Sequence, residues 1–382
     1  MDFDLTEEQK DFHRAIRNVC ETTLRPLAPE VDRLGAVPDE NLEALARVGY
    51  MGLLLPESLG GGGGDMVRFL VGTEEVARCC ASTALVAGTS LMRFGLPTML
   101  YASDGLKRRL LPLLAQGRLR GAWAHTEPQG GCDTSNLLTR ALQEGPEYLL
   151  RGRKTYVLNG PEASALLVVA LLEENGQVKR TGVFLLEPPC PGLKMEAPLP
   201  MIGARGAKVC GLELQDCRVP AEALLGGTGG PGGEELERLP QMPLLVAGYS
   251  LGLAQAALEL AIQHARERVT FGRPIVSYQE VHFRIADMYM NVDVARQLAL
   301  RAAWLIDAKK GSFAESSVAK LFASETAQMC AQSCAHILGG SGLVEGATAD
   351  RILRDSQLAG ILGGTTEMHR LGIAREVLSG RA

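Results

Sequence analysis

Apolar residues recur at helical spacing through the first 120 positions, switch to a period of two near Gly121, and return to helical spacing beyond Gly226–Gly233. Periods of 3.6 and 2.0 belong to helix and strand, so three blocks follow in the order α, β, α. The first block reads as a helix over Leu5–Asp32 opened by Thr6, another over Asp39–Val48 stopped by Gly49, two apolar helices over Val67–Tyr101, and one over Gly105–Ala115. Strand-like runs follow at Leu138–Gln143, Tyr148–Arg151, Leu166–Leu172, Val183–Leu186 and Val209–Leu214, with Gly145-Pro146 and Asn175-Gly176 as turns. They imply an antiparallel β domain. Gly226–Gly233 reads as a mobile linker by composition. Beyond it, Pro243–Arg268, Gln279–Ala308, Ser312–Ile337 and Thr366–Leu378 imply a four-helix bundle. The expected domains are residues 1–120, 121–228 and 234–382.

A net charge of −5 gives no electrostatic reason to expect nucleic acid or an anionic membrane as partner. The nine cysteines show no paired CxxC clusters and the six histidines no metal-ligand spacing, so neither a disulfide framework nor a metal is expected. Met1-Asp2-Phe3-Asp4 is acidic and resembles no secretory signal, which makes the cytoplasm the expected location. The apolar window Met242–Ile262 approaches membrane length, but Gln255 and Glu259 interrupt it, as in a buried bundle helix rather than a membrane span. Gly60–Gly64 lacks the spacing of a phosphate loop and reads as a flexible turn. Gly248-Tyr249-Ser250-Leu251-Gly252 satisfies G-x-S-x-G, yet Ser250 lies inside a continuous helical stripe, where a hydrolase nucleophile elbow needs a strand before it.

Several stretches together resemble the acyl-CoA dehydrogenase family. Ala122-Trp123-Ala124-His125-Thr126-Glu127-Pro128-Gln129-Gly130-Gly131-Cys132-Asp133 is similar to its A-x-T-E-P-x-A-G-S-D block, and Gly152-Arg153-Lys154-Thr155-Tyr156-Val157-Leu158-Asn159 to G-x-K-x-W-I-(T/S)-N. Arg268-Val269-Thr270-Phe271-Gly272-Arg273-Pro274-Ile275, with Gln279, matches R-x-x-F-G-x-P-(I/L)-x-x-x-Q, and His336-Ile337-Leu338-Gly339-Gly340 resembles Q-I-L-G-G. Gly363-Gly364-Thr365-Thr366-Glu367-Met368-His369-Arg370 stands where many members read Glu-Gly-Thr-Ser-Glu-(Ile or Met)-x-Arg.

The resemblance implies FAD as cofactor and an acyl thioester, on CoA or a carrier protein, as substrate. It implies a homotetramer or homodimer, because Arg268 would reach the FAD pyrophosphate of a neighbouring subunit, and an electron acceptor such as electron-transfer flavoprotein. Trp123, Ala124, His125, Thr126, Gly131, Cys132, Tyr156, Val157, Leu158, Phe271, Gln279, His336, Gly339, Gly340, Thr365 and Glu367 would contact the cofactor, and Cys132, Gly363 and Gly364 the substrate. Fixed N–H and O–H donors, Thr126 among them, suit the negative charge of a reduced flavin. Leu158 replaces a hydroxyl residue that donates to flavin N5, and Leu cannot donate.

The chain departs most at the base. The family's Glu that takes the α-proton is Gly363 here, and a second position used by some members is Met242, followed by Pro243. Glu237 precedes Met242 by five residues and reaches the site only if Pro240 and Pro243 reshape the helix start; first-turn acids are otherwise solvent-facing. The sequence therefore supports acyl-thioester dehydrogenation with a relocated base, or a family-shaped flavoprotein with other chemistry, such as an oxidase, a monooxygenase or one without dehydrogenase activity. Gly363 with Gly364 suggests extra room beside the α-carbon.

Overall fold

The computed structural model describes residues 4–134, 136–174 and 177–380. The α, β, α order holds. Thr6 opens the first helix, Glu7–Val19, through a reciprocal cap: its hydroxyl accepts from the Gln9 amide at 3.2 Å and its own amide donates to Gln9 Oε1 at 3.0 Å. The segment expected as one helix over Leu5–Asp32 continues through a π-helical turn, Cys20–Leu24, into Arg25–Leu34.

The sheet holds β1 (Gly121–Ala124), β2 (Arg140–Glu144), β3 (Glu147–Leu158), β4 (Ala165–Glu174), β5 (Gln177–Leu186), β6 (Leu193–Met195) and β7 (Val209–Pro220). It is mixed rather than purely antiparallel, because β4 pairs in parallel with β1 and then β2 along one edge, and antiparallel with β5 along the other. The Asn175-Gly176 turn expected between β4 and β5 lies outside the described residues. Side chains alternate across β4: Ala165, Leu167 and Val169 join a core shared with the helices, while Leu166, Val168, Ala170 and Leu172 join a second core inside the β domain. An apolar residue at every position from Ala165 to Leu172 is what burial on both faces requires.

The glycine run beyond the sheet is packed, contrary to its expected mobility. Arg180 donates to the carbonyls of Gly227 at 3.2 Å and Gly230 at 2.8 Å, and a Cβ on Gly230 would fall 1.9 Å from the Leu225 carbonyl oxygen. The following helix, Met242–Glu267, is the one described helix long and apolar enough to cross a membrane, and 78% of its most apolar 18-residue stretch is buried inside the fold. It lies against Met66–Cys79 so closely that a Cβ on Gly252 would meet the Glu74 carbonyl oxygen at 2.4 Å and one on Gly248 would meet Thr73 Cβ at 2.9 Å. Ser250 is fully buried and donates to the Val246 carbonyl at 2.7 Å. The G-x-S-x-G spacing thus serves helix packing, without a nucleophile elbow.

A buried ion pair ties the loop after β1 to β3. Lys154 Nζ, fully buried, lies 2.7 Å from Glu127 Oε1 and donates to the His125 carbonyl at 3.0 Å. Glu127 also accepts from the amides of Leu138 at 2.7 Å and Thr139 at 3.0 Å. Burial alone would raise its pKa, but Lys154 and these donors outweigh that and hold it at about 2, while burial brings Lys154 down to about 8. Lys154→Met strands a buried carboxylate and is expected to destabilise the fold by about 3–5 kcal/mol. Urea unfolding measures it, and a loss well below ~1 kcal/mol would show that the amide donors alone satisfy Glu127.

Candidate active site

The first of the two apolar helices expected over Val67–Tyr101 is Met66–Cys79, and the second runs from Ala81–Gly88 through a π-helical turn at Thr89–Gly95 into Leu96–Tyr101. A wider turn re-aims the side chains it carries and often marks a functional site. Arg93 sits on this turn, only 9% exposed, and its Nη1 pairs closely with Glu237 Oε2. Glu237 ends the short helix Gly233–Glu237; its other oxygen accepts from Trp123 Nε1 at 2.7 Å and lies 3.8 Å from His125 Nδ1. Trp123 and His125 flank the end of β1 with their rings edge to face at 6.0 Å.

The same guanidinium faces Gly363. A Cβ at Gly363 would meet Arg93 Nη2 at 3.0 Å and Val246 Cγ2 at 3.1 Å, and its φ of +67° disfavours any side chain. The extra room expected beside Gly363 is therefore filled by Arg93. Glu237 is linked to this space through Arg93, whose guanidinium contacts both. Met242, at the second position for a base, is a buried apolar residue at the start of its helix.

Burial would raise the Glu237 pKa, yet the charge of Arg93 and the contact with His125 pull it down to about 2. Two further groups approach the loop from below. His369, 2% exposed, contacts Ser317 Oγ through Nδ1 at 2.8 Å and the Gly363 carbonyl through Nε2 at 2.9 Å. Lys320, fully buried, donates to the Gly364 carbonyl at 2.9 Å. Burial is the main cause that lowers both, His369 to about 4 and Lys320 to about 8.

The structure brings together part of the expected set. Cys132 Sγ lies 3.9 Å from Thr365 Oγ1, and Gly131 packs near Thr126, so the loop after β1 meets the Gly363–Thr365 loop. Tyr156, at φ +55°, exposes 64% of its surface, and Leu158 beyond it is half-buried, whereas Ala124 and Val157 point their side chains into the β core. Thr365 caps the last helix, and Glu367 in its first turn is exposed. The remaining expected residues lie on exposed surface. Arg268 and Phe271 belong to a small hairpin, Val269–Thr270 with Arg273–Pro274, and Gln279 opens the next helix. His336, 3.5 Å from Arg284 Nη1, precedes the exposed Gly339 and Gly340. Arg93, Lys320, His369 and Ser317 were not anticipated. Arg93 and Lys320 had a signal, since each is a lone cation within an apolar helical run, where charge is rarely buried without purpose.

The titrations carry a sign. The Glu237 pKa is depressed from 4.5, so the stability it contributes is present above that value and is lost as pH falls towards 2. Arg93→Met is expected to raise the Glu237 pKa by about 1–3 units. Carboxyl-carbon NMR of the titration checks this, and an unchanged midpoint would remove Arg93 as its cause.

Comparison with known proteins covers the whole chain. Models described as "Acyl-CoA dehydrogenase, N-terminal domain", "middle domain" and "C-terminal domain" match residues 6–118, 122–217 and 235–378. A probable acyl-CoA dehydrogenase of Bacillus subtilis (strain 168) is 35% identical over 99% of this chain and 100% of its own. The butyryl-CoA dehydrogenase structure from Megasphaera elsdenii superposes with a TM-score of 0.93 at 29% identity, over 99% of this chain and 100% of the other. A prolyl acyl carrier protein oxidase does so with a TM-score of 0.90 at 25% identity, over 98% of this chain and 100% of that one. The chain belongs to the acyl-CoA dehydrogenase family, flavin-dependent oxidoreductases that act on CH–CH bonds.

Proposed function

We propose that this protein dehydrogenates an acyl thioester, carried on CoA or on a carrier protein, with Glu237 receiving the α-proton. The observation that carries this reading is the Glu237–Arg93 pair, which holds a carboxylate one guanidinium away from the space that a side chain at position 363 would fill. Trp123 Nε1 orients the carboxylate, and the loop of Gly363 and Gly364 lies against the same guanidinium. The residues present fit FAD. Thr126, Cys132 and Thr365 line one rim with hydroxyl and thiol groups, Tyr156 presents an exposed ring, and a Cβ on Gly339 or Gly340 would meet nothing within 4 Å, leaving the backbone open to close approach. When bound, FAD supplies the acceptor for the β-hydride, and a partner such as electron-transfer flavoprotein takes the electrons onward.

A carboxylate held at about 2 is ionised at any working pH but is weakly basic. That observation also favours a second reading, in which the scaffold performs oxidase or monooxygenase chemistry. Anaerobic bleaching of the FAD-loaded protein by a panel of acyl thioesters separates the two. Bleaching is expected, and Glu237→Gln should slow it by about 10²–10⁴-fold. No bleaching with either CoA-bound or carrier-bound thioesters, or a Glu237→Gln protein as fast as the parent, would remove the assignment.

The same reading includes a second copy of the chain. Phe271 is 96% exposed at the tip of a two-residue turn where it and Gly272 have φ of +51° and +78°, a conformation costly for an aromatic residue with no intramolecular burial in return. Along Gln279–Asp307, Phe283, Tyr289, Met290 and Trp304 are each more than half exposed. Apolar surface on this scale suits a partner of the same kind. Sedimentation velocity at micromolar concentration is expected to show a dimer or tetramer; a monomer would refute it.

A further inference from the structure

The Gly363–Gly364 loop is held from beneath in a way the family reading does not require. Lys320 is a fully buried cation with no carboxylate in ion-pair range among the described residues, and its ammonium ends on the Gly364 carbonyl. Burying a charge is costly unless its donors are used, so this contact is what the lysine exchanges for water. His369 ends on the neighbouring carbonyl, that of Gly363. A carbonyl only accepts, so Nε2 carries the proton, and Nδ1 then accepts from the Ser317 hydroxyl.

Two consecutive carbonyls are thus turned the same way, towards Lys320 and His369. Both peptides are trans, and a trans peptide directs its N–H opposite its C=O. The amides of Gly364 and Thr365 therefore point away from the two clamping side chains. Among the described residues, neither amide has a protein acceptor, nor does that of Gly363. Two adjacent glycines at φ of +67° and +97° would otherwise sample many conformations, because glycine gives up more freedom than any other residue when it is fixed.

We propose that His369, oriented by Ser317, and Lys320 are positioning residues that clamp the Gly363 and Gly364 carbonyls so that the amides of this loop face the cleft as donors to the acyl carbonyl oxygen. The inference rests on the thioester reading above. Donors fixed before the reaction stabilise the negative charge that develops on that oxygen as the α-proton leaves, without reorganising at that moment. The role falls to side chains because glycine at position 363 has no side chain of its own to hold the loop.

The test uses the FAD-loaded full chain and four proteins: wild type, His369→Leu, His369→Gln and Lys320→Met. Glutamine retains a donor for the Gly363 carbonyl and an acceptor for Ser317. His369→Leu and Lys320→Met are each expected to lower kcat about tenfold or more with KM changed by less than about threefold, and His369→Gln to recover most of the loss. With an unreactive acyl thioester bound, the infrared carbonyl stretch should move back towards its free-solution frequency in His369→Leu and return in His369→Gln. In crystal structures of His369→Leu and Lys320→Met, the 363–364 and 364–365 peptides should rotate. An unchanged loop in both variants overturns the clamp, whatever their activity. A rotated loop with kcat and carbonyl frequency unmoved overturns the positioning role. If the wild type itself turns over no thioester while the loop rotates in the variants, the clamp stands and the dehydrogenase reading fails.

Discussion

A guanidinium only 9% exposed has to be paired, and the way Arg93 is paired sets the architecture of the site. Arg93 comes from the first helical block, Trp123 and His125 from the β block, and Glu237 and Gly363 from the last. One ion pair therefore joins all three parts of the chain at one point. Removing either partner would leave a desolvated charge, a loss of about 3–5 kcal/mol, whereas the hydrophobic contacts between the blocks are spread over many residues and are individually small. The position of the carboxylate is thus over-determined by the fold, as its proposed proton-accepting role would require.

The order of the blocks was legible because burial imposes its period on every element: two sheet faces produce β4's continuous apolar run, and one helix face produces the amphipathic repeat. What was not legible depends on partners distant in sequence. The parallel pairing of β4 with β1 and β2 is a long-range choice that alternation does not encode. Gly226–Gly233 has the composition of a free linker, and only the structure shows Arg180, on the neighbouring strand, holding its carbonyls. Gly248 and Gly252 carried a motif whose true cause, close approach to Glu74 and Thr73, lies about 175 residues away along the chain.

At the site, the family signature was readable because its glycines and short motifs recur at local spacing. The carboxylate was readable only as a conditional, since whether Glu237 turned inward depended on a cation almost 150 residues earlier. Gly363 was misread for a related reason. A missing side chain suggests space, but space in a packed interior is filled by a neighbour, and here that neighbour is Arg93.

The charges around Gly363 then follow from one another. Lys320 is cationic near neutrality, His369 is held neutral, and among the described residues Glu237 is the one carboxylate in hydrogen-bond contact with Arg93, Lys320 or His369. A glutamate at position 363 would add a carboxylate beside Arg93; with glycine there, Glu237 and the exposed Glu367 are the carboxylates whose charges act on Arg93 and Lys320. Within a low-dielectric pocket, buried cations favour an enolate oxygen over a neutral carbonyl, which on the proposed reading would make the α-proton easier to remove. On the proposed reading, the same Arg93 that weakens Glu237 as a base would strengthen the acid to be deprotonated. Loss of the usual carboxylate and burial of two cations are two sides of one electrostatic arrangement.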